Sequence, residues 1–139
     1  MTVEVLSDVE FGMELPAFEP DTTLAASRSF AEAAGYTGNG RFEDHDKARA
    51  QGLPGALVPG IMGLGLLTKM INDWAPRGTV KQIDTVFRAP VLADHEHVVT
   101  AVVTDIDEDE GQIVLDLSIK NKKDETRVFG TATVAIPLT

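Results

Sequence analysis

The stretch Gly60–Trp74, GIMGLGLLTKMINDW, decides the fold. Ile61, Leu64, Leu67, Met70, Ile71 and Trp74 fall three or four residues apart, the spacing that stacks side chains on one face of an α-helix, and Leu66 widens the stripe. The pattern predicts a helix buried on most of its circumference and ended by Pro76 and Gly78. Such a helix needs a layer wrapped about it, and the chain that follows supplies one. Thr79–Phe87 is strand-like with imperfect alternation, and His97–Ile106, HVVTAVVTDI, has the continuous Val-rich run of a strand covered on both faces. Gln112–Lys120 alternates Ile113, Leu115, Leu117 and Ile119 with polar residues, and Thr126–Pro137 alternates again. The acidic turn Asp107–Gly111 and a second turn, Asn121–Glu125, join the last three strands into an antiparallel meander.

Ahead of the apolar helix the chain reads as a strand or two followed by short helices. Leu24–Ala34, LAASRSFAEAA, holds strong helix formers after Thr22-Thr23, either of which offers an N-cap oxygen, and Gly35 suits the position just past its end. Leu24, Phe30 and either Ala31 or Ala34 are expected to face inward. Asp44–Gln51, DHDKARAQ, reads as a second short helix with acids at its positive end, stopped by Gly52. The order is that of an α+β layer architecture. A curled antiparallel sheet around a long central helix, the hot-dog fold, matches it best, while periodicity alone leaves other α+β arrangements open. By hot-dog precedent a dimer is expected.

At 139 residues the chain is expected to form a single domain over 1–139, large enough to bury a core without disulfides or metals. It has no cysteine, which excludes thiolate nucleophiles and Cys-ligated zinc, and a reducing cytoplasm is the expected location. The amino terminus carries acids at Glu4, Asp8, Glu10 and Glu14, with no basic region leading an apolar run, so it does not read as a signal peptide. The formal net charge is −10. An acidic chain repels phosphate backbones and anionic lipid, so neither nucleic acid nor membrane is expected as a partner.

Several segments together are similar to the MaoC-like dehydratases and (R)-specific enoyl-CoA hydratases. VEFGMELP (Val9–Pro16) resembles the family's opening; DHDKARAQGLPGALVPGIMGLGLL, from Asp44 through the helix start, is the most distinctive part. FRAPVLADHE (Phe87–Glu96) resembles its F-x-x-P-V-x-x-G-D strand and turn, with Ala93 in place of the glycine. The family's hydratase motif runs Asp, any residue, Asn-Pro, any residue, His, any residue, Asp, at a set distance from Gly-Leu-Pro-Gly and a later His-Gly. Counting back from Gly52-Leu53-Pro54-Gly55 matches Asp44 and Asn39, but puts Thr37 at the catalytic Asp, Phe42 at the catalytic His and Gly40 at the proline. The later His-Gly is Pro59-Gly60.

Adding water across a conjugated thioester takes a base to activate the water and an acid to protonate the α-carbon. Thr37 and Phe42 can exchange no proton at neutral pH. The developing enolate oxygen also needs donors, and backbone N–H groups at a helix start supply them. The resemblance therefore implies a retained oxyanion-binding helix start at Gly60, with Asn39, Pro59 and Ile61 as further substrate-binding positions, and no acid–base pair. It implies a substrate that is an acyl-CoA or acyl-carrier-protein thioester, no cofactor, and a homo- or hetero-oligomer with another hot-dog chain that brings the missing groups. Two alternatives stand beside it: a hydratase or thioesterase active alone through displaced groups among His45, Asp44, Thr37 and Asn39, and an acyl-thioester-binding module without turnover.

Each position also has a plainer reading. Pro59-Gly60 is a favourable helix start, Asn39 a turn residue, Phe42 a core or lid side chain, and Asp44 an N-cap. His45 in a helix projects from a different face than the lost histidine would. His95 and His97, two apart, are expected on one side of a strand, where they could share a metal with Asp94 or Glu96 in principle; without a third and fourth ligand in the pattern, a solvated turn is expected instead. Asp107–Glu110 lacks the spacing of a calcium loop. Trp74 sits at core spacing, and Arg77 and Arg88 would meet either a CoA phosphate or a surface carboxylate.

Overall fold

Thr79–Phe87 (β1), His97–Asp107 (β2), Gln112–Asn121 (β3) and Thr126–Ala135 (β4) form one antiparallel sheet in the order β1-β4-β3-β2. The structure, a computed structural model, describes residues 1–139. Hairpins place β2 against β3 and β3 against β4, as the alternation predicts. β1 pairs with β4 rather than with its sequence neighbour β2, so both β1 and β2 are edges of the ladder. Val99, Ala101 and Val103 of β2, Ile113, Leu115, Leu117 and Ile119 of β3, and Val128, Ala132 and Val134 of β4 turn one face inward.

Leu24–Ala34 (α1), His45–Ala50 (α2) and Gly60–Trp74 (α3) precede the sheet. α3 lies on its inner face and buries Gly63, Leu67, Met70, Ile71 and Trp74. Leu67, Met70 and Ile71, removed from water, each contribute about 1.5–3 kcal/mol. Gly63 lets the helix approach β3 closely, since a Cβ there would meet the Ile119 side chain at 3.5 Å.

The sequence expectation of burial nearly all round α3 is corrected here. Ile61 and Gly65 are exposed and Leu64 and Leu66 half-buried, because within one chain the sheet covers a single side of the helix. α1 buries Ser27 and Ala31 while Leu24 and Phe30 are half-buried and Ala34 is exposed. Thr23 is its N-cap, accepting from Ala26 N–H at 3.2 Å, and Gly35 ends it in the left-handed region at φ +80°. α2 is shorter than expected, since Asp44 stands outside it as the N-cap that accepts from Lys47 N–H at 3.0 Å.

The expected N-terminal strand is not a strand. Leu6–Asp8 is a 3₁₀ turn, and Gly12–Phe18 runs beside β2, touching it through bridges at Glu14–Val102 and Phe18–Val99. Leu15 N–H donates to Ala101 at 3.0 Å and Phe18 N–H to Val99 at 3.0 Å, so this segment covers the β2 edge. Pro16 interrupts the ladder because it has no N–H to give. β2 accordingly alternates buried and half-buried residues instead of being sealed on both faces. No helix is long and apolar enough to cross a membrane.

Candidate functional site

A cavity of about 340 Å³ opens where α3 begins. Phe42 closes it from the loop between α1 and α2, Val58, Pro59 and Gly60 form the wall leading into α3, and Phe87 and Arg88 close it from the end of β1. None of the residues lining it carries a carboxylate, an imidazole or a hydroxyl, and Arg88 is the one ionisable group among them.

The wall is fixed from behind by a buried serine. Ser27 Oγ lies 2.7 Å from the Leu57 carbonyl and 3.0 Å from the Phe42 carbonyl, and its one hydroxyl hydrogen is shared between them. Leu57 N–H donates to Arg41 at 2.7 Å and Val58 N–H to Val91 at 2.8 Å. The segment is thus tied to α1, to the Phe42 loop and to the chain after β1. Phe42 packs against Tyr36, with ring centroids 6.2 Å apart at 42°.

At the start of α3 the N–H groups of Met62 and Gly63 turn back to the Pro59 carbonyl at 3.0 and 3.2 Å, whereas no carbonyl of the chain accepts from Gly60 or Ile61. Free N–H groups at the positive end of a fifteen-residue helix favour a partial negative charge. Gly60 belongs to the cavity wall, and a Cβ there would stand 3.4 Å from the Phe87 ring. Donors are present. A proton-transfer pair is not.

Of the residues singled out in the sequence, Phe42, Pro59, Gly60 and Arg88 meet at this cavity. Thr37, Asn39 and Ile61 do not line it. Thr37 is exposed in the loop after α1. Asn39 closes a turn, its Oδ1 accepting from Arg41 N–H at 3.1 Å while its carbonyl accepts from Gln51. Ile61 is rotated onto the exposed side of α3, where it borders a shallow groove with Leu64, Gly65 and Thr68. Gly40 takes φ +81°, a conformation closed to the proline that the hydratase motif carries at that place, so this loop follows its own path.

His45 is engaged at both ring nitrogens, Nδ1 accepting from Ala56 N–H at 3.0 Å and Nε2 lying 2.7 Å from Asp94 Oδ2. The His45 hydrogen bond, followed by the Leu24 N–H, holds the Asp94 carboxyl below the usual range. His95 and His97 both border a pocket with Thr22 and Asp94 but differ in burial. His95 is exposed in the turn, and His97, the first residue of β2, is buried. Thr22 Oγ1 donates its only hydrogen to the His95 carbonyl at 2.6 Å and so accepts from His97 Nδ1–H at 3.2 Å. Burial pushes the His97 pKa down from 6.5. No group of three or more His, Cys, Asp or Glu side chains is gathered for a metal. Arg77 donates to the Glu4 and Thr139 carbonyl oxygens and is committed to tying the chain ends together. Sequence reasoning missed Ser27 and the pairing of Asp94 with His45. Ser27 stands among small helix formers and Asp94 in a charged turn, and neither pattern signals a tertiary hydrogen bond.

Solved structures share the overall architecture. The (R)-hydratase from A. caviae involved in PHA biosynthesis superposes with a TM-score of 0.85 at 21% identity, over 93% of this chain and 98% of that one. This is the hot-dog fold. A second hot-dog, in the ChsH1–ChsH2 complex from Mycobacterium tuberculosis, superposes at 0.82 with 23% identity over 91% of this chain and 98% of that one. A MaoC-like dehydratase from Rhodospirillum rubrum superposes at 0.78 with 15% identity over 96% and 97%. Sequence comparison finds no matching protein-family model and no matching curated protein. The resemblance in DHDKARAQGLPG therefore agrees with the fold these hot-dogs share.

Proposed function

We propose that this chain is a hot-dog subunit of an acyl-thioester hydratase or dehydratase, working in the cytoplasm on an acyl-CoA or acyl-carrier-protein substrate, and that it leaves proton transfer to a catalytic hot-dog partner. One observation carries the reading: the cavity at the α3 start is walled by Gly60, whose N–H no carbonyl of the chain accepts, and has no carboxylate, imidazole or hydroxyl in its walls. Donors of that kind stabilise an enolate oxygen. Without a base near the water and an acid near the α-carbon the hydration step has no path, since general acid–base help is worth about 10²–10⁴-fold per group. The ChsH1–ChsH2 structure, a complex of two named chains, makes pairing a natural arrangement for this fold.

Activity through displaced groups is the weaker reading. His45 has no free ring nitrogen and lies outside the cavity lining, and Asp44 is spent as an N-cap. The deciding experiment follows loss of the conjugated thioester absorbance of short and long trans-2-enoyl-CoA with the purified chain alone, beside a binding measurement. Binding without turnover is the expected result. Rapid hydration by the chain alone overturns the proposal.

A further inference from the structure

We propose that His45 is a proton-sensitive positioning residue that steadies the cavity wall at Ala56 in its neutral form and loosens it there when the ring gains a second proton. A backbone amide only donates, so the nitrogen that accepts from Ala56 N–H at 3.0 Å carries no hydrogen. Neutral His45 therefore keeps its proton on Nε2 and donates it to Asp94 Oδ2 at 2.7 Å. Asp94 Oδ1 accepts from Leu24 N–H at 2.8 Å in the first turn of α1, while Asp94 N–H donates to Thr22 at 2.8 Å. The Ala56 carbonyl accepts from Ala93 N–H at 2.9 Å. One imidazole thus joins α1, α2 and the turn before β2 to Ala56, and Leu57, Val58, Pro59 and Gly60 follow Ala56 directly as the cavity wall.

A proton added at Nδ1 sets N–H against N–H and abolishes the Ala56 bond. The same proton turns the Nε2–H contact with Asp94 into an ion pair, so ring and carboxylate stay together while the wall loses one of its ties, the one at Ala56 N–H. Gly55 leaves room for the ring, since a Cβ there would stand 3.2 Å from Nδ1 and 4.0 Å from Arg49 Nη2. The charged groups facing the ring are Asp94 and, next along the turn, His95; on its own helix stand Arg49, paired with Asp46 at 3.2 Å, and Asp44, committed to the helix cap. The consequence for ligands, that acidification loosens the cavity, rests on reading the cavity as the acyl-thioester site. The tether itself does not.

The test uses the isotope-labelled full chain. Imidazole nitrogen shifts report the tautomer, and hydrogen exchange at Ala56, corrected to a protection factor, reports the tether across a pH titration. Expected are an Nε2–H ring at neutral pH and an Ala56 protection factor that falls about tenfold, the scale of one lost hydrogen bond, in step with His45 protonation. Val99 in β2 keeps its protection. In His45→Asn the amide oxygen stands where Nδ1 stood, so Ala56 stays protected through the same range. An Nδ1–H tautomer, an Ala56 protection that ignores His45 titration, or an Asn variant that loses protection as wild type does each overturns the proposal. Crotonyl-CoA affinity is measured in parallel. Affinity that does not change while Ala56 loosens removes the link to the cavity, whereas no binding at any pH with the expected Ala56 behaviour overturns the acyl-thioester reading and leaves the tether standing.

Discussion

Ser27 shows how much a small residue can decide. It is fully buried, and its hydroxyl serves the carbonyls of both Phe42 and Leu57. Ser27→Ala removes one oxygen atom and strands two acceptors, which costs about 1–3 kcal/mol. Chemical denaturation is expected to show that loss, with the Phe42 loop the first segment to lose protection. His97 sets the response to mild acid. Its folded pKa is held below 6.5 by burial, so the unfolded chain takes up the proton first, and stability falls as pH drops through 6.5 until the folded ring also titrates. Asp94 and Asp44 act lower down: held below 3.8, Asp94 chiefly by the His45 hydrogen bond and Asp44 by the Lys47 N–H, they contribute stability above that value and lose it as pH falls through their folded values. Denaturation midpoints taken above and below 6.5 are expected to differ for wild type and to lose the His97 share of that difference in His97→Asn.

Among the elements, β1 depends on one glycine of β4. Thr85 pairs with Gly130, and a Cβ at 130 would lie 1.9 Å from the Asp84 carbonyl oxygen and 2.9 Å from Thr85 Cα. Backbone cannot yield as a side-chain tip can. Gly130→Ala is expected to push β1 off its register and to destabilise by about 1–3 kcal/mol, with amide shifts concentrated in Thr79–Phe87. Since Phe87 closes the cavity from the end of β1, the same variant is expected to weaken acyl-CoA binding, whereas Thr131→Ala, exposed one residue on, leaves both unchanged.

For the whole molecule the question is whether the scaffold is intact around missing chemistry. Thr37 and Phe42 lie on one loop whose ends approach through the Tyr36–Phe42 ring contact. A Thr37→Asp/Phe42→His double variant is expected to hydrate a short enoyl-CoA measurably above wild type and above Phe42→His alone, because two groups are needed to hold the attacking water between them. A silent double variant would mean that the left-handed Gly40 has carried the loop out of reach, and restoring the motif would then require rebuilding that turn.

Much of this molecule is local and therefore legible in the chain. The period of Gly60–Trp74, the alternation of the later strands and the caps at Thr23, Gly35 and Asp44 are all written in neighbours a few residues apart, and short-range sterics and hydrogen bonding suffice to read them. Other features depend on residues far apart in sequence. That β1 joins β4, that the Gly12–Phe18 segment drapes over β2 without becoming a strand, that one side of α3 stays open, and that His45 spans from α2 to Asp94 and Ala56 were settled by which surfaces the packed core leaves next to one another. Burial is not directional, so a periodic stripe says that a face is covered but not by what; a polar side chain finds its partner only once the sheet has closed, and the position of that partner is a property of the tertiary structure.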